Sequence, residues 1–284
     1  MIKIKVKKPG EIANRLTDSG KKKAGMSIDK MLILGFLAGA FVAMGGLLAL
    51  RLSSGLSANG WGSIASFLFA AVFPVGLIMI VFTGSELATG NMTTQPIAFF
   101  DGKIELKGVI KNWFFVFVGN VLGSLFVAYF FGKVSGLLMS ETVAGNVVNI
   151  ANAKVSLSWT TAFWRGVGCN WLVGIAIWMA LATDNLMGKV TAIWWPIMAF
   201  VALGFEHSIA NTFFVPAGIY ISKASTYVGP ALDANWSSFI INNLIPVTLG
   251  NIVGAGVFVA LVGWYVFLRE ERSEDIEKSN KMQM

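Results

Sequence analysis

The stretch GFEHSIANTFFVP, residues 204 to 216, lies in an apolar region yet carries Glu206 and His207, the only histidine of the chain. A second stretch, GSELATGNMTTQP at residues 84 to 96, has the same residue spacing: in both stretches the first Gly is followed by Glu two residues later, Asn seven later and Pro twelve later. Ionisable groups are costly in lipid and usually mark functional sites there. The two matched stretches are therefore the starting point for predicting the fold.

The composition of the chain indicates an integral membrane protein. Of its 284 residues, 55% are hydrophobic and 13% are charged, whereas an ordinary soluble domain has roughly 25% charged residues. Cys169, the single cysteine, cannot form an internal disulfide, and we interpret it as a small packed hydrophobe. The net charge of +7 comes from basic residues that gather at membrane flanks, so we expect no nucleic-acid binding.

Six apolar stretches are long enough to cross a bilayer core of roughly 30 Å. We place the spans at 28–53, 64–100, 108–134, 157–182, 189–222 and 237–268. Residues 1–27 lack the apolar core and cleavage site of a signal peptide, so we expect them to form a cytoplasmic N-terminal segment. Six spans return the chain to the same side, which predicts a cytoplasmic C-terminal tail at residues 269–284.

The distribution of basic residues tests this topology. Of the 22 Lys and Arg residues, 17 fall in segments assigned to the cytoplasm and four in outer loops, and Arg165 lies inside the fourth span. An excess of Lys and Arg in cytoplasmic loops is typical of multi-pass membrane proteins. We therefore predict a multi-pass protein of the inner (plasma) membrane with both termini in the cytoplasm.

The second and fifth spans are longer than a bilayer requires, and each contains one of the matched stretches. Unwound backbone is tolerated in a membrane only where it is buried in protein or lines a wet cavity, so both breaks should face a pathway. The two spans run in opposite directions, which predicts an inverted repeat of residues 28–134 and 157–268. GNVLGS at 119–124 and GNIVGA at 250–255 support the repeat, because such small residues suit close helix packing.

Four polar residues occupy matching positions in the two breaks: Glu86 and Asn91 in the first, and Glu206 and Asn211 in the second. We interpret them as structural support for the breaks. In this interpretation the carboxylates satisfy free backbone N–H groups at the broken helix ends.

The run GFEHSIANTFFVPAGI, together with RGVGCNWLVGIAIWMA in span four and the Gly/Glu/Thr/Asn break of span two, closely resembles the formate/nitrite transporter family. That family includes formate, nitrite and hydrosulfide channels, and the resemblance covers about residues 28 to 268. It implies an all-α, aquaporin-like protomer of six transmembrane helices in an inverted 3+3 repeat, with helices two and five broken. It also implies a homopentamer with one pore in each protomer.

Carried over residue by residue, the resemblance implies a polar pore centre formed by His207, Thr89 and Asn170. It implies an outer hydrophobic constriction formed by Phe73, Leu77 and Phe200. The corresponding inner constriction consists of Leu87, Ala88 and Val173, and family members often have a bulky aromatic residue at the position of Ala88. Lys154, in the outer connection before span four, matches a basic residue that attracts anions into the outer vestibule.

A physical argument connects these features to transport of a weak acid. A bare anion crosses an apolar constriction at a much larger desolvation cost than its neutral acid. A carboxylic acid with a pKa of about 4 is only about one part in a thousand neutral at pH 7, and a histidine between the constrictions can act as proton donor and acceptor. We predict a channel or proton-coupled transporter for small monovalent anions or their conjugate acids, with formate first and nitrite or hydrosulfide as alternatives.

Two other functional classes remain open at this point. An aquaporin-like pore for neutral solutes would also use two half-helix breaks, although His207 and Lys154 argue against it. An enzyme or receptor is disfavoured, because the sequence contains no metal-ligand cluster, no phosphate-binding loop and no nucleophile–base pair, and no soluble domain. We expect no metal and no cofactor, and we expect the partners to be a small anion or weak acid, the lipid bilayer and further copies of the chain.

Overall fold

The computed structural model describes residues 6–58 and 60–270, and within these ranges every regular element is a helix. The helices are α1 (Pro9–Ala24), α2 (Ile28–Ala58), α3 (Gly62–Val72), α4 (Val75–Thr83), α5 (Ala88–Phe100), α6 (Leu106–Phe126), α7 (Glu141–Val155), α8 (Trp159–Leu181), α9 (Leu186–Ala202), α10 (Ser208–Ser222), α11 (Trp236–Ser238), α12 (Ile245–Ala255) and α13 (Val262–Phe267). Three π-helical stretches, Val127–Val134, Phe239–Leu244 and Gly256–Leu261, continue α6, α11 and α12. The predicted all-α class is confirmed.

Four helical runs in the described part of the chain are long and apolar enough to cross a membrane. They are Ile28–Leu56, Gly62–Thr83, Leu106–Val134 and Trp236–Phe267, and they lie in the first, second, third and sixth predicted spans. The fourth predicted span is α8, and the fifth is divided between the apolar helix α9 and α10. These helices are those of a multi-pass membrane protein.

Both predicted breaks are present, and a glycine ends the helix before each of them. Gly84 follows α4 with φ of 70°, and Gly204 follows α9 with φ of 68°. This left-handed conformation is easy for glycine and strained for residues with a side chain. After each glycine the chain runs without helix for three residues before α5 begins at Ala88 and α10 begins at Ser208.

The predicted N-terminal segment, residues 1–27, contains a helix that the sequence analysis did not predict. Helix α1 begins at Pro9, where the missing N–H of proline has no cost, and has three lysines in its last turn, which suit the negative end of the helix dipole. Its apolar side, with Ile12 and Leu16, is buried, and the helix packs mainly on α5. Residues 1–5 of this segment, and residues 271–284 of the predicted tail, lie outside the described residues.

Two pairs of long helices cross with their backbones nearly in contact. A Cβ atom added at Gly39 of α2 would overlap the backbone carbonyl of Asn120 in α6, and one added at Gly254 of α12 would overlap the carbonyl of Val167 in α8. Such close approach is possible only for residues without a bulky side chain. As a result, the polar side chains that α6 and α12 carry at these crossings lie next to the breaks.

The beginning of α1 is tied to the connection between α8 and α9 by Asp184. The Asp184 carboxylate accepts hydrogen bonds from Lys7 Nζ and, at 3.0 Å, from Arg15 Nη1. The backbone N–H of Lys7 also donates to the carbonyl of Ala182 at 2.9 Å. The hydrogen bonds from Lys7 and Arg15 lower the pKa of Asp184 from 3.8 to about 2.

Acidification should loosen this attachment. Because the pKa of Asp184 is lowered in the folded state, the attachment is at full strength above the ordinary value of 3.8 and is lost as the pH falls through about 2. Asp184→Asn should remove it at every pH. We expect α1 to exchange its amide hydrogens faster in the variant at pH 7, and wild-type exchange, corrected for intrinsic rates, to approach the variant only below about pH 4. A difference that does not change with pH would contradict the assignment.

Candidate pore

Two wide cavities are joined by a narrow chamber. The Lys154 vestibule, about 370 Å³, has Lys154 and Glu206 in its wall, and the Lys23 vestibule, about 710 Å³, has Lys23 and Glu86. The chamber has a volume of about 10 Å³, room for roughly one water molecule. Three residues line both the Lys154 vestibule and the chamber: Phe73, Phe200 and His207. Two residues line both the chamber and the Lys23 vestibule, Leu77 and Leu87, so the chamber lies between the two vestibules.

The chamber wall is apolar except at His207. It is formed by Val42, Phe73, Gly76, Leu77, Leu87, Val173, Ile197, Phe200 and His207. Five of the six predicted constriction residues are therefore in one wall, and the wall also contains Val42, Gly76 and Ile197, which were not predicted. Helical spacing offered a signal for two of these, because Gly76 follows Phe73 by three residues and Ile197 precedes Phe200 by three.

Two of the predicted constriction residues lie elsewhere than expected. Leu77 was grouped with the outer residues, but it lies with Leu87 at the Lys23 end, because it is one helical turn, roughly 6 Å, beyond Phe73. Ala88 is fully buried and lines neither the chamber nor either vestibule.

His207 forms the N-terminal cap of α10 and contacts the opposite half-helix. Its Nδ1 accepts a hydrogen bond from the backbone N–H of Ala210 at 3.1 Å, so Nδ1 carries no proton. Nε2 lies 2.9 Å from Thr89 Oγ1, and the remaining ring proton is therefore on Nε2 and is donated to the hydroxyl. The ring also stacks on Phe200 at a centroid distance of 5.9 Å. These contacts fix a neutral imidazole where the two half-helices meet.

Asn170 supports Thr89 and has no hydrogen bond with His207 among the described residues. Its Nδ2 donates to the carbonyl of Thr89 at 3.1 Å and to the carbonyl of Asn251 at 2.9 Å. Its Oδ1 is buried without a hydrogen-bond partner in the described part of the chain. Of the three residues predicted at the pore centre, His207 and Thr89 are hydrogen-bonded to each other, and Asn170 links the backbones of Thr89 and Asn251 in the two halves of the chain.

Two asparagines that the sequence analysis did not assign hold the start of each half-helix. Asn120 Oδ1 accepts from the N–H of Ala88 at 2.8 Å, while its Nδ2 donates to the carbonyl of Glu86 at 2.8 Å. Asn251 does the same in the second break, accepting from the N–H of Ser208 at 2.9 Å and donating to the preceding glutamate carbonyl at 3.0 Å. Both are the Asn of the shared GN-x-x-G pattern, and this shared pattern was the sequence feature that could have identified them.

The carboxylates of the breaks bind side chains. Glu86 accepts from Lys23 Nζ and from Asn91 Nδ2, at 3.1 and 2.8 Å. Glu206 accepts from Lys154 Nζ at 3.0 Å and from the asparagine five residues later at 2.6 Å. The prediction that these carboxylates cap backbone N–H groups is corrected accordingly: a buried carboxylate needs a cation, and the lysines of α1 and α7 provide it.

Many of the hydrogen bonds around the first break have an equivalent around the second. Adding 120 to the number of a break residue, and 131 to that of its partner, gives the equivalent bond, but the bond from Lys23 Nζ to Asn91 Oδ1 has none, because Asn211 Oδ1 has no hydrogen-bond partner among the described residues. The bond from Asn91 to Asn112, at 2.9 Å, thus becomes the bond from Asn211 to Asn243, at 2.7 Å. The offset of 131 also relates α1 to α7, because Lys23 and Lys154 occupy their last turns. Neither helix was part of the predicted repeat.

Known proteins share this sequence and this fold. A profile described as formate/nitrite transporter matches residues 10–265. A probable formate transporter of Methanothermobacter thermautotrophicus is 42% identical over 279 residues, 93% of this chain and 98% of the relative. Among solved structures, an FNT family ion channel has a TM-score of 0.79 at 30% identity, covering 89% of this chain and 98% of its own. A pentameric formate channel with formate bound has a TM-score of 0.76 at 31% identity, covering 85% and 98%.

Proposed function

The chain belongs to the formate/nitrite transporter family, and on that premise we propose that it is a membrane channel or transporter for small monovalent anions or their conjugate acids, with formate as its substrate. One observation carries the proposal. A single polar side chain, His207, lines an apolar chamber of about 10 Å³ that joins two lysine-containing vestibules. The relatives described as formate transporters and channels support formate as the substrate.

We further propose that the chain forms an aquaporin-like protomer of six transmembrane helices, an inverted 3+3 repeat of residues 28–134 and 157–268. The matched hydrogen bonds of the two breaks support the repeat, and α1 and α7 extend it at both ends. The relative described as a pentameric formate channel supports a homopentamer. The distribution of Lys and Arg supports an inner membrane location with both termini in the cytoplasm. The Lys154 vestibule then faces outward and the Lys23 vestibule faces the cytoplasm.

In this proposal the lysines attract the anion and the chamber admits the neutral acid. Lys154 Nζ is shared with Glu206, and its side chain is only 15% exposed, so an arriving anion meets a cation that is already partly desolvated. Lys23 has the equivalent place in the other vestibule. Beyond the lysines the wall is hydrocarbon, where a bare carboxylate loses its hydration without compensation. Formate therefore crosses the chamber as formic acid.

His207 supplies the proton in this scheme. The neutral ring must first gain a proton on Nδ1, which displaces the hydrogen bond from the N–H of Ala210 and makes the imidazolium short-lived unless an anion is nearby. The Nε2 proton then passes to a formate oxygen, forming the O–H bond of formic acid and leaving the ring neutral with its proton on Nδ1. Restoring the Ala210 hydrogen bond favours return to the resting tautomer. Thr89 Oγ1, 2.9 Å from Nε2, is placed to bond the substrate oxygen during transfer.

A flux assay in proteoliposomes tests this function. We expect formate uptake to exceed that of glycerol by about 100-fold or more and to acidify the interior, because the acid carries its proton across. Nitrite and hydrosulfide should pass as well, since each is a small monovalent anion of a weak acid. Glycerol flux equal to formate flux would overturn the proposal and indicate a neutral-solute pore. A rate for nitrite or hydrosulfide above that for formate would change the preferred substrate.

A further inference from the structure

The two vestibules occupy equivalent places in the repeat, but their walls differ in charge and polarity. Four polar residues of the Lys23 vestibule correspond, through the offsets of 120 and 131, to residues of a different type in the other half of the chain. They are Ser19, Lys22, Lys30 and Ser85. The equivalent positions in the other half are Ile150, Ala153, Thr161 and Phe205. Both lysines thus have uncharged counterparts and both serines have apolar ones, and the two apolar counterparts of the serines, Ile150 and Phe205, line the Lys154 vestibule itself. The Lys23 vestibule therefore has two cations and two hydroxyls whose equivalents in the other half are of a different type.

The charged residues in the walls also make the Lys23 vestibule more positive than the Lys154 vestibule. The Lys154 vestibule contains one lysine and one glutamate, which are paired and give no net charge. The Lys23 vestibule contains three lysines and one glutamate, and Lys23 uses the glutamate. Lys22 and Lys30 therefore have no carboxylate partner among the residues that line the cavity, and Asp29, beside Lys30 in sequence, is not in the wall. Lys111 adds a cation nearby, since its Nζ donates to the carbonyl of Met26 in the wall.

The Lys23 vestibule is wide and the chamber beyond it is narrow, and this difference decides whether an anion held by the lysines can pass. The Lys23 vestibule, about 710 Å³, has the size of a typical small-molecule site. It narrows at Leu77 and Leu87 to the chamber of about 10 Å³. A multiply charged anion that fits the vestibule cannot follow the substrate through this chamber, because both its volume and its desolvation oppose passage. While bound, it would stand directly in the path.

We propose that the Lys23 vestibule binds a multiply charged oxyanion of the phosphate class and that its occupancy blocks the pore. Lys22 and Lys30 provide the charge, and the hydroxyls of Ser19, Ser27 and Ser85 provide further hydrogen bonds. The phosphate group is carried by a soluble anion or by a lipid headgroup that reaches the rim of the vestibule. This site is separate from the proposed transport function, because binding does not require that formate be the substrate.

Calorimetry with pyrophosphate tests the site without any transport. The full-length protein is placed in nanodiscs of phosphatidylcholine, and pyrophosphate is titrated at low ionic strength. We expect the double variant Lys22→Gln/Lys30→Gln to bind about tenfold or more weakly than the wild type, since two close charges are lost. The double variant Lys103→Gln/Lys107→Gln removes the same charge from residues outside the cavity and should keep wild-type affinity. No binding by the wild type, or equal weakening in both variants, would overturn the proposal.

Two further arms identify the source of the phosphate and its effect. Phosphatidylglycerol in the nanodisc should weaken pyrophosphate binding if a lipid headgroup uses the site, and unchanged binding assigns the site to a soluble anion. In liposomes with pyrophosphate on both sides, formate flux should fall about tenfold in the wild type and remain in the Lys22→Gln/Lys30→Gln variant. Equal inhibition of both proteins would exclude blocking at this site. If the chain carries no formate at all, the proposed function fails while calorimetry still decides the site.

Discussion

Replacing His207 by asparagine should abolish proton-coupled formate uptake while the protein remains folded. Asparagine is among the best N-cap residues, so its side-chain oxygen can replace Nδ1 as acceptor for the N–H of Ala210 and keep α10 in place. It cannot exchange a proton near neutral pH. Positioned proton transfer usually contributes between about 100-fold and 10,000-fold to a rate, so we expect the coupled component of uptake to fall by at least about 100-fold.

The measurement is the internal pH change driven by a formate gradient in liposomes of matched protein density. Leu87→Asn is the matched control, because Leu87 occupies the equivalent position in the first break and lines the same chamber. This control introduces the same side chain and keeps His207, so proton-coupled uptake should persist. Residual flux in His207→Asn is expected to be a poorly selective leak without proton movement. Undiminished coupled uptake in His207→Asn would refute the proton-transfer role and leave the residue as a helix cap.

The residues of the chamber wall follow the repeat only in part. The wall pairs Val42 with Val173 through the offset of 131, and Leu77 with Ile197 through the offset of 120. The same offset of 120 pairs Leu87 with His207. Six of the nine wall residues thus form three equivalent pairs, and in one of these pairs an apolar residue corresponds to a histidine. Because His207 also lines the Lys154 vestibule and Leu87 lines the Lys23 vestibule, the proposed mechanism predicts that His207 exchanges its proton with water on the Lys154 side.

The breaks could be predicted from sequence because their causes are local. A helix that ends in a left-handed residue needs glycine, and Gly84 and Gly204 supply it at the same distance from each glutamate. Helices α1 and α7 could not be found in this way. Each is short and mixes polar with apolar residues, so a search for long apolar stretches passes over it. Its stability comes from packing on α5 or α10, a contact that the sequence does not record.

The candidate site could be predicted in its residues but not in its hydrogen bonds. A glutamate in an apolar stretch indicates a buried carboxylate, yet the lysine that pairs with Glu86 is 63 residues away, and the one for Glu206 is 52 residues away. The asparagines that hold the half-helices are equally remote: Asn120 is 32 residues from Ala88. Such partners are set by helix crossing rather than by spacing. The shared GN-x-x-G pattern predicted the crossing and left the role of its asparagine unassigned.

Replacing Asn251 by leucine should destabilise the protein by on the order of 3 kcal/mol or more. The side chain is fully buried and makes three hydrogen bonds with backbone groups: it accepts from the N–H of Ser208 and donates to the carbonyls of Gly166 and Glu206. Leucine cannot make these bonds, so it leaves the N–H of Ser208 and the carbonyl of Glu206 without this partner and removes a second hydrogen bond from the carbonyl of Gly166. We expect a lower melting temperature in detergent and a reduced yield of assembled protein on size-exclusion chromatography.

Two further variants separate the hydrogen bonds from a general effect of leucine. Asn149→Leu changes an exposed asparagine of α7 and should leave the melting temperature close to the wild-type value. Asn251→Asp retains the acceptor for the N–H of Ser208 but loses both donors and places a buried carboxylate without a cation beside two carbonyl oxygens, so its melting temperature should be as low as that of Asn251→Leu or lower. A melting temperature for Asn251→Leu equal to that of Asn149→Leu would mean that the second half-helix is held by packing alone. The equivalent change, Asn120→Leu, should then be equally mild, because the same three contacts surround it in the first half.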